Sequence, residues 1–148
     1  MGTFVNEVAP SSPEQIAAMQ EEGPEGPIYM VNLLKFKEKA EYQDGRETTL
    51  TGREAYQIYG QAVGQIIQNY GGFVCFAADV THLTLGQVDD LWDEVAIACY
   101  PSRRQLLEMS ISAEWQEAAV HRTAGLEGQL NIETVLFPGM KVGPATAG

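Results

Sequence analysis

Ile28-Tyr29-Met30-Val31-Asn32-Leu33-Leu34-Lys35-Phe36 is too continuously apolar to leave one face in water. A half-exposed strand alternates apolar and polar residues, whereas a run without that alternation suits a central strand covered on both sides. On its N-terminal side lies Gly23-Pro24-Glu25-Gly26-Pro27, a turn-rich connector. Before that, Ser12-Pro13-Glu14-Gln15 announces a helix: Ser12 offers a capping oxygen, and Pro13 suits a first helical position that has no use for an N–H. This helix is expected to end near Gly23 and to stand as an appendage to the main fold.

On the C-terminal side, residues 37–50 are polar and charged and read as a mobile loop or insertion. Thr51-Gly52-Arg53-Glu54 is a capping box opening a helix with Tyr56, Tyr59, Val63, Ile66 and Tyr70 on one stripe, and Gly71-Gly72 closes it. Strand-like segments follow, from Phe73 to Leu85 and from Val95 to Tyr100, with polar residues 87–90 between them, and read as a β-hairpin. Pro101-Ser102-Arg103-Arg104-Gln105 begins a short helix packed through Leu106, Leu107 and Met109, and Ser112 caps its continuation through Trp115, Ala119 and Val120. The last strand runs from Gln129 to Phe137 and stops at Pro138-Gly139.

The order is a leading helix and then β-α-β-β-α-β, the split βαβ or ferredoxin-like arrangement: an α+β fold with a four-stranded antiparallel sheet. Residues 1–27 make the N-terminal helix and connector, 28–137 the domain and 138–148 a flexible tail. Helices on one face leave the other face of the sheet bare, yet the 28–36 run reads as covered on both sides. A second copy of the chain is the economical cover, so a homodimer is expected.

A chain of 148 residues is the usual size of one domain and long enough to bury a core without a staple. Its formal charge of −11 argues against nucleic acid, whose nonspecific binding is driven by Lys and Arg displacing counterions. Lys35, Lys37 and Lys39 cluster, but Glu38, Glu41 and Asp44 dilute them; the cluster is either a solvated edge or an anion-steering patch. The opening residues show no signal-peptide pattern, and no apolar run reaches the roughly 18 residues that would span a membrane. A cytoplasmic, membrane-free setting is expected. Cys75 and Cys99 lie in apolar segments without zinc or redox spacing and read as small buried hydrophobes.

Met30-Val31-Asn32-Leu33-Leu34-Lys35-Phe36, Glu54-Ala55-Tyr56 with Tyr59-Gly60, Tyr70-Gly71-Gly72, Trp92-Asp93, Tyr100-Pro101-Ser102-Arg103 with Met109, and His121-Arg122-Thr123-Ala124-Gly125-Leu126 together resemble the domain of unknown function 1330 family, over residues 28–137. The resemblance implies a ferredoxin-like subunit of a dimeric α/β barrel, in a superfamily that also holds cofactor-free monooxygenases and muconolactone isomerase. It implies no activity for this chain and carries over no catalytic residue.

Candidate site residues follow from the strands. If the hairpin is symmetric about Asp89-Asp90, residues that face each other have numbers summing to about 178 or 180, and Val80, His82, Trp92, Ala96, Ala98 and Tyr100 share a face. Small alanines beside His, Trp and Tyr would leave room for a ligand. The same register leaves Cys99 roughly 13 Å from a position opposite Cys75, too far for a disulfide.

His82, whose imidazole can act as acid or base, is the candidate for moving a proton; a hydrogen bond within the sheet would satisfy it equally. Asn32 must satisfy its amide, either on a substrate carbonyl or enolate oxygen or on backbone. Arg122, at the end of a helix, is either a cap or ion pair or a planar fork for a carboxylate or oxyanion. Arg103, a cation in a helical first turn, points to an anionic partner unless it is a plain surface residue. Tyr59, Trp92 and Tyr100 are candidate substrate contacts, with aromatic packing as the alternative.

No carboxylate stands at ligand spacing to His82 or His121, so no metal is expected; haem would need one of these two as axial ligand. No phosphate-cradling or dinucleotide motif is present, and no cofactor is called for. The expected function is that of a small-metabolite-binding protein: a cofactor-independent isomerase, cyclase or monooxygenase acting on an apolar oxygen-bearing substrate, or a noncatalytic dimeric ligand-binding or interaction module.

Overall fold

Ile28–Phe36 forms strand β1, a central strand hydrogen-bonded along both edges. The computed structural model describes residues 13–143, so Ser12 and the end of the tail lie outside the described residues. In chain order the elements are α1 (Pro13–Met19), β1, α2 (Gly52–Ile66) with a 3-10 turn (Ile67–Tyr70), β2 (Phe73–Asp79), β3 (Glu94–Tyr100), α3 (Arg103–Ser110), α4 (Ala113–Gly125) and β4 (Leu126–Thr134). The sheet order is β2-β3-β1-β4 and every pairing is antiparallel, which gives the α+β ferredoxin-like fold.

The local signals act where the chain carries them. Thr51 Oγ1 accepts from the Glu54 N–H at 3.1 Å while the Glu54 carboxylate accepts from the Thr51 N–H at 2.9 Å, completing the box that starts α2. Gly71 takes the left-handed conformation that ends the 3-10 turn, at φ 78°. Ser102 and Ser112 cap α3 and α4 through the N–H groups of Gln105 and Trp115. Helices α2 and α4 meet where Gly52 and Gly125 lie backbone to backbone: a Cβ on Gly52 would come within 2.6 Å of the Gly125 carbonyl oxygen.

The hairpin differs from the symmetric one expected. Asp79 faces Glu94 and Ala77 faces Ala96, a bulge falls at Cys75, and Val74 then faces Ala98. Strand β2 therefore stops at Asp79, and residues 80–93 leave the sheet as a loop. The cause lies on β1, where Asp93 is recruited: its N–H donates to the Leu34 carbonyl at 2.8 Å, and its carboxylate accepts from the Phe36 N–H at 2.9 Å. Lys35 adds bonds to Asp90 at 3.1 Å and Asp93 at 3.4 Å, so this lysine fastens the loop. With that register Cys75 is nearer to Cys99 than expected; both thiols are free.

Strand β4 also differs from expectation. It begins at Leu126, directly after α4, because Leu126 is fully buried with Leu34 and Phe36, and it ends at Thr134. Phe137, expected in the strand, is 81% exposed. The 37–50 segment holds no helix or strand, but it is tied down by Lys37 N–H to Gly125 O at 2.8 Å and Glu41 N–H to Ala124 O at 3.0 Å.

Alternation along the paired strands puts Met30, Asn32, Ala96, Ala98, Gln129 and Glu133 on the face toward the helices. On the outer face Leu130, Ile132 and Phe76 remain 37%, 45% and 48% exposed.

Candidate functional site

Between the inner sheet face and helices α2, α3 and α4 lies a cavity of about 530 Å³. Strand β3 presents Ala96 and Ala98 to it beside Asn32 and Met30 of β1, leaving room beneath the helices. Its apolar walls come from Met30, Val63, Leu106 and Met109, and its aromatic walls from Tyr56, Tyr59, Tyr100 and Trp115. The aromatic rings form a continuous set: Phe36 to Tyr56 at 5.4 Å, Tyr56 to Tyr59 at 5.3 Å, and Tyr59 edge-on to Trp115 at 6.3 Å between centroids. The Trp115 indole N–H donates to the Tyr59 hydroxyl at 3.2 Å.

One wall is polar, and its groups are linked in series. Asn32 Nδ2 donates to the carbonyls of Met30 at 3.2 Å and Ala96 at 3.3 Å. Its Oδ1 accepts from Gln129 Nε2 at 2.8 Å, and Gln129 Oε1 in turn accepts from Arg122 Nη2. Each amide is thereby fixed in orientation, because swapping its O and N would set donor against donor. Gln129, only 6% exposed, is the middle of this chain. Burial pushes the Tyr56, Tyr59 and Tyr100 hydroxyls up, while the Arg122 cation pulls Tyr56 and Tyr59 back. The tyrosines therefore stay neutral and can donate hydrogen bonds near neutral pH.

At the mouth, Arg103 grips the Glu133 carboxylate with both arms, Nε at 2.8 Å and Nη2 at 2.7 Å, and its Nη1 donates to the Ala18 carbonyl of α1 at 3.0 Å. This pairing pushes the Glu133 carboxyl down and the Arg103 guanidinium up. The guanidinium thus ties α1 across the opening, where Gln15, Ala18 and Met19 join the cavity lining.

The structure brings together Asn32, Arg122, Tyr59, Tyr100 and Arg103 around this cavity. It does not bring His82 or Trp92 to it. Both belong to the 80–93 loop, His82 exposed and Trp92 half-buried, because the strand that was expected to aim them inward ends at Asp79. Of the face expected to line a ligand site, Ala96, Ala98 and Tyr100 keep their place. His121 points elsewhere: its Nδ1 lies 2.7 Å from the Tyr42 hydroxyl, and burial, followed by Arg46, holds its pKa down. Neither histidine lines the cavity as an axial ligand, and among the described residues no three His, Cys, Asp or Glu side chains cluster to hold a metal.

Gln129 and Glu133 line the cavity as well, and the sequence did not single them out. A signal for them exists: Gln129, Asn131 and Glu133 alternate with Leu130 and Ile132. On an edge strand the polar face of such a pattern ordinarily meets water, whereas here it meets the cavity.

Among the described residues no helix is long and apolar enough to cross a membrane. No curated protein matches this chain. The methylated RPA0582 protein is similar to it, with 36% identity over 92% of this chain and 99% of that one and a TM-score of 0.79. A second crystal structure of RPA0582, described as a protein of unknown function from Rhodopseudomonas palustris, gives 33% identity over 90% and 100% of the two chains, with a TM-score of 0.78. The pattern of the domain of unknown function (DUF1330) matches residues 45–135, starting later than the resemblance read from residue 28. With strands β2, β3 and β4, both main helices, Arg122 and Gln129 inside that match, the chain belongs to the DUF1330 family.

Proposed function

We propose that the protein binds a small, largely apolar metabolite bearing a carboxylate or carbonyl oxygen, held between the sheet and the helices. The observation that carries this reading is the Arg122-Gln129-Asn32 chain at the wall of a cavity otherwise lined by apolar and aromatic side chains. A guanidinium fixed beside an apolar space favours an anionic or polarised oxygen, and its planar fork matches a carboxylate. The Tyr56, Tyr59 and Trp115 rings supply the apolar contact.

Stabilising an oxyanion is also what a cofactor-independent isomerase, cyclase or monooxygenase requires. In that chemistry Arg122 would face the oxygen, and Asn32, whose amide is committed to Gln129 and to backbone, would act as a positioning residue. The noncatalytic reading is favoured by the distance of His82 from the cavity, which leaves the wall without an imidazole. We also propose that two copies pair through the outer sheet face, on the strength of exposed Phe76, Leu130 and Ile132.

In a Trp92→Phe background, emission from Trp115 should change saturably on titration with decanoate. Arg122→Gln should weaken that binding by about tenfold to a hundredfold, the worth of a charge-assisted hydrogen bond. Unchanged affinity in a folded Arg122→Gln variant would sink the reading.

A further inference from the structure

Beyond Tyr56 lies a second hollow of about 460 Å³, bounded by Gln57, Gly60, Gln61 and Glu94. Tyr56 borders both spaces, so its ring is the partition between them. Glu94 belongs to the same sheet face as the polar wall: it pairs with Leu34 as Ala96 pairs with Asn32, and two residues of strand, roughly 7 Å, separate it from Ala96. Its side chain is only 21% exposed. Arg53 gives its short bond to Asp79, at 2.8 Å, and stays 3.8 Å from the Glu94 carboxylate, beyond hydrogen-bond range.

Among the described residues no side chain or backbone N–H donates a hydrogen bond to the Glu94 carboxylate, whose ion pair with Arg53 stays at 3.8 Å. Burial pushes its carboxyl up, Arg53 draws it partly back and Asp79 raises it again. A half-desolvated carboxylate without a donor gains from any O–H or N–H brought to it. Gly60 keeps the approach clear, since a Cβ there would touch nothing within 4 Å.

We propose that Glu94 is a second recognition point, accepting a hydrogen bond from a hydroxyl or amine on a ligand that runs from Arg122 past Tyr56 into the outer hollow. This rests on the cavity-binding reading above and narrows its ligand class to apolar molecules with an oxyanion at one end and a donor at the other.

The test compares octanoate, decanoate and dodecanoate with their ω-hydroxy counterparts, using Trp115 emission in the Trp92→Phe background. In an apolar cavity without an acceptor the hydroxyl weakens binding, because it gives up its water. With Glu94 as acceptor, at least one ω-hydroxy acid binds about tenfold tighter than its parent. Glu94→Ala reverses that order and leaves the parent acid within about twofold. Gly60→Leu, which fills the hollow without altering Glu94, abolishes the preference as well. If the parent acids bind through Arg122 but no ω-hydroxy acid is preferred, or if the preference survives Glu94→Ala, the second recognition point is wrong. Parent acids that do not bind, or that ignore Arg122→Gln, overturn the cavity reading and this proposal with it.

Discussion

Glycine occupies two opposite environments in this molecule, and a methyl group separates them. Gly52 and Gly125 sit where α2 and α4 touch backbone to backbone, so an added Cβ meets carbonyl oxygens that cannot swing aside. Gly60 and Gly64 lie within α2 with no atom near the place of a Cβ. Gly52→Ala or Gly125→Ala should therefore lower unfolding free energy by about 1–3 kcal/mol or more, as overpacking does. Gly60→Ala and Gly64→Ala should raise it by about 0.5–1 kcal/mol, because alanine has less backbone freedom to lose. Urea denaturation separates the pairs; a common sign would show that the α2–α4 crossing is not tight. Sequence reading at this scale succeeds where partners are neighbours, as at Thr51 and Glu54. It fails at Gln129, because its partner Asn32 stands 97 residues away and only the sheet brings them together.

Elements were legible in kind and order, and less so in extent. Val80 to Leu85 has strand character, yet β1 claims Asp93 and Lys35 claims Asp90, so after one last bond from the Val80 N–H to the Asp93 carbonyl at 2.9 Å the chain leaves the sheet. That single competition moved His82 and Trp92 out of the site. At the other end of the cavity, α1 buries none of its residues and is tied to Arg103 through the Ala18 carbonyl. Glu133, the anchor of that arginine, has its carboxyl pushed down by the guanidinium. A folded value below the unfolded one, about 4.3 for Glu, means that the stabilisation is whole above the unfolded value and fades as pH falls through the folded one. Hydrogen-exchange protection of residues 13–19 should accordingly drop in acid. Glu133→Gln should give weak protection of α1 that no longer varies with pH, whereas acid sensitivity retained in that variant would place the anchor elsewhere.

At the scale of the whole molecule, the unbroken apolar run of β1 reads as a strand covered on both faces, and the chain's own helices cover one of them, leaving Phe76, Leu130 and Ile132 exposed on the other. What it left open was the occupant of the space beneath the helices, since a cavity reflects side chains that are small, and smallness at Ala96 and Ala98 reads locally as ordinary strand. The proposed homodimer predicts a light-scattering mass of twice the 16.2 kDa chain, falling to the monomer in a folded Ile132→Asp variant. A monomer for the unaltered chain would leave the outer face in need of another partner. The Arg103 tether has one more consequence, which concerns thermodynamic linkage. A ligand that touches Gln15, Ala18 or Met19 gains those contacts only while α1 is seated, so occupancy and seating must favour each other by the same factor. Acid, by loosening Glu133, then acts as a distant antagonist of binding without touching the ligand, and a tightly held ligand shifts the release of α1 to lower pH.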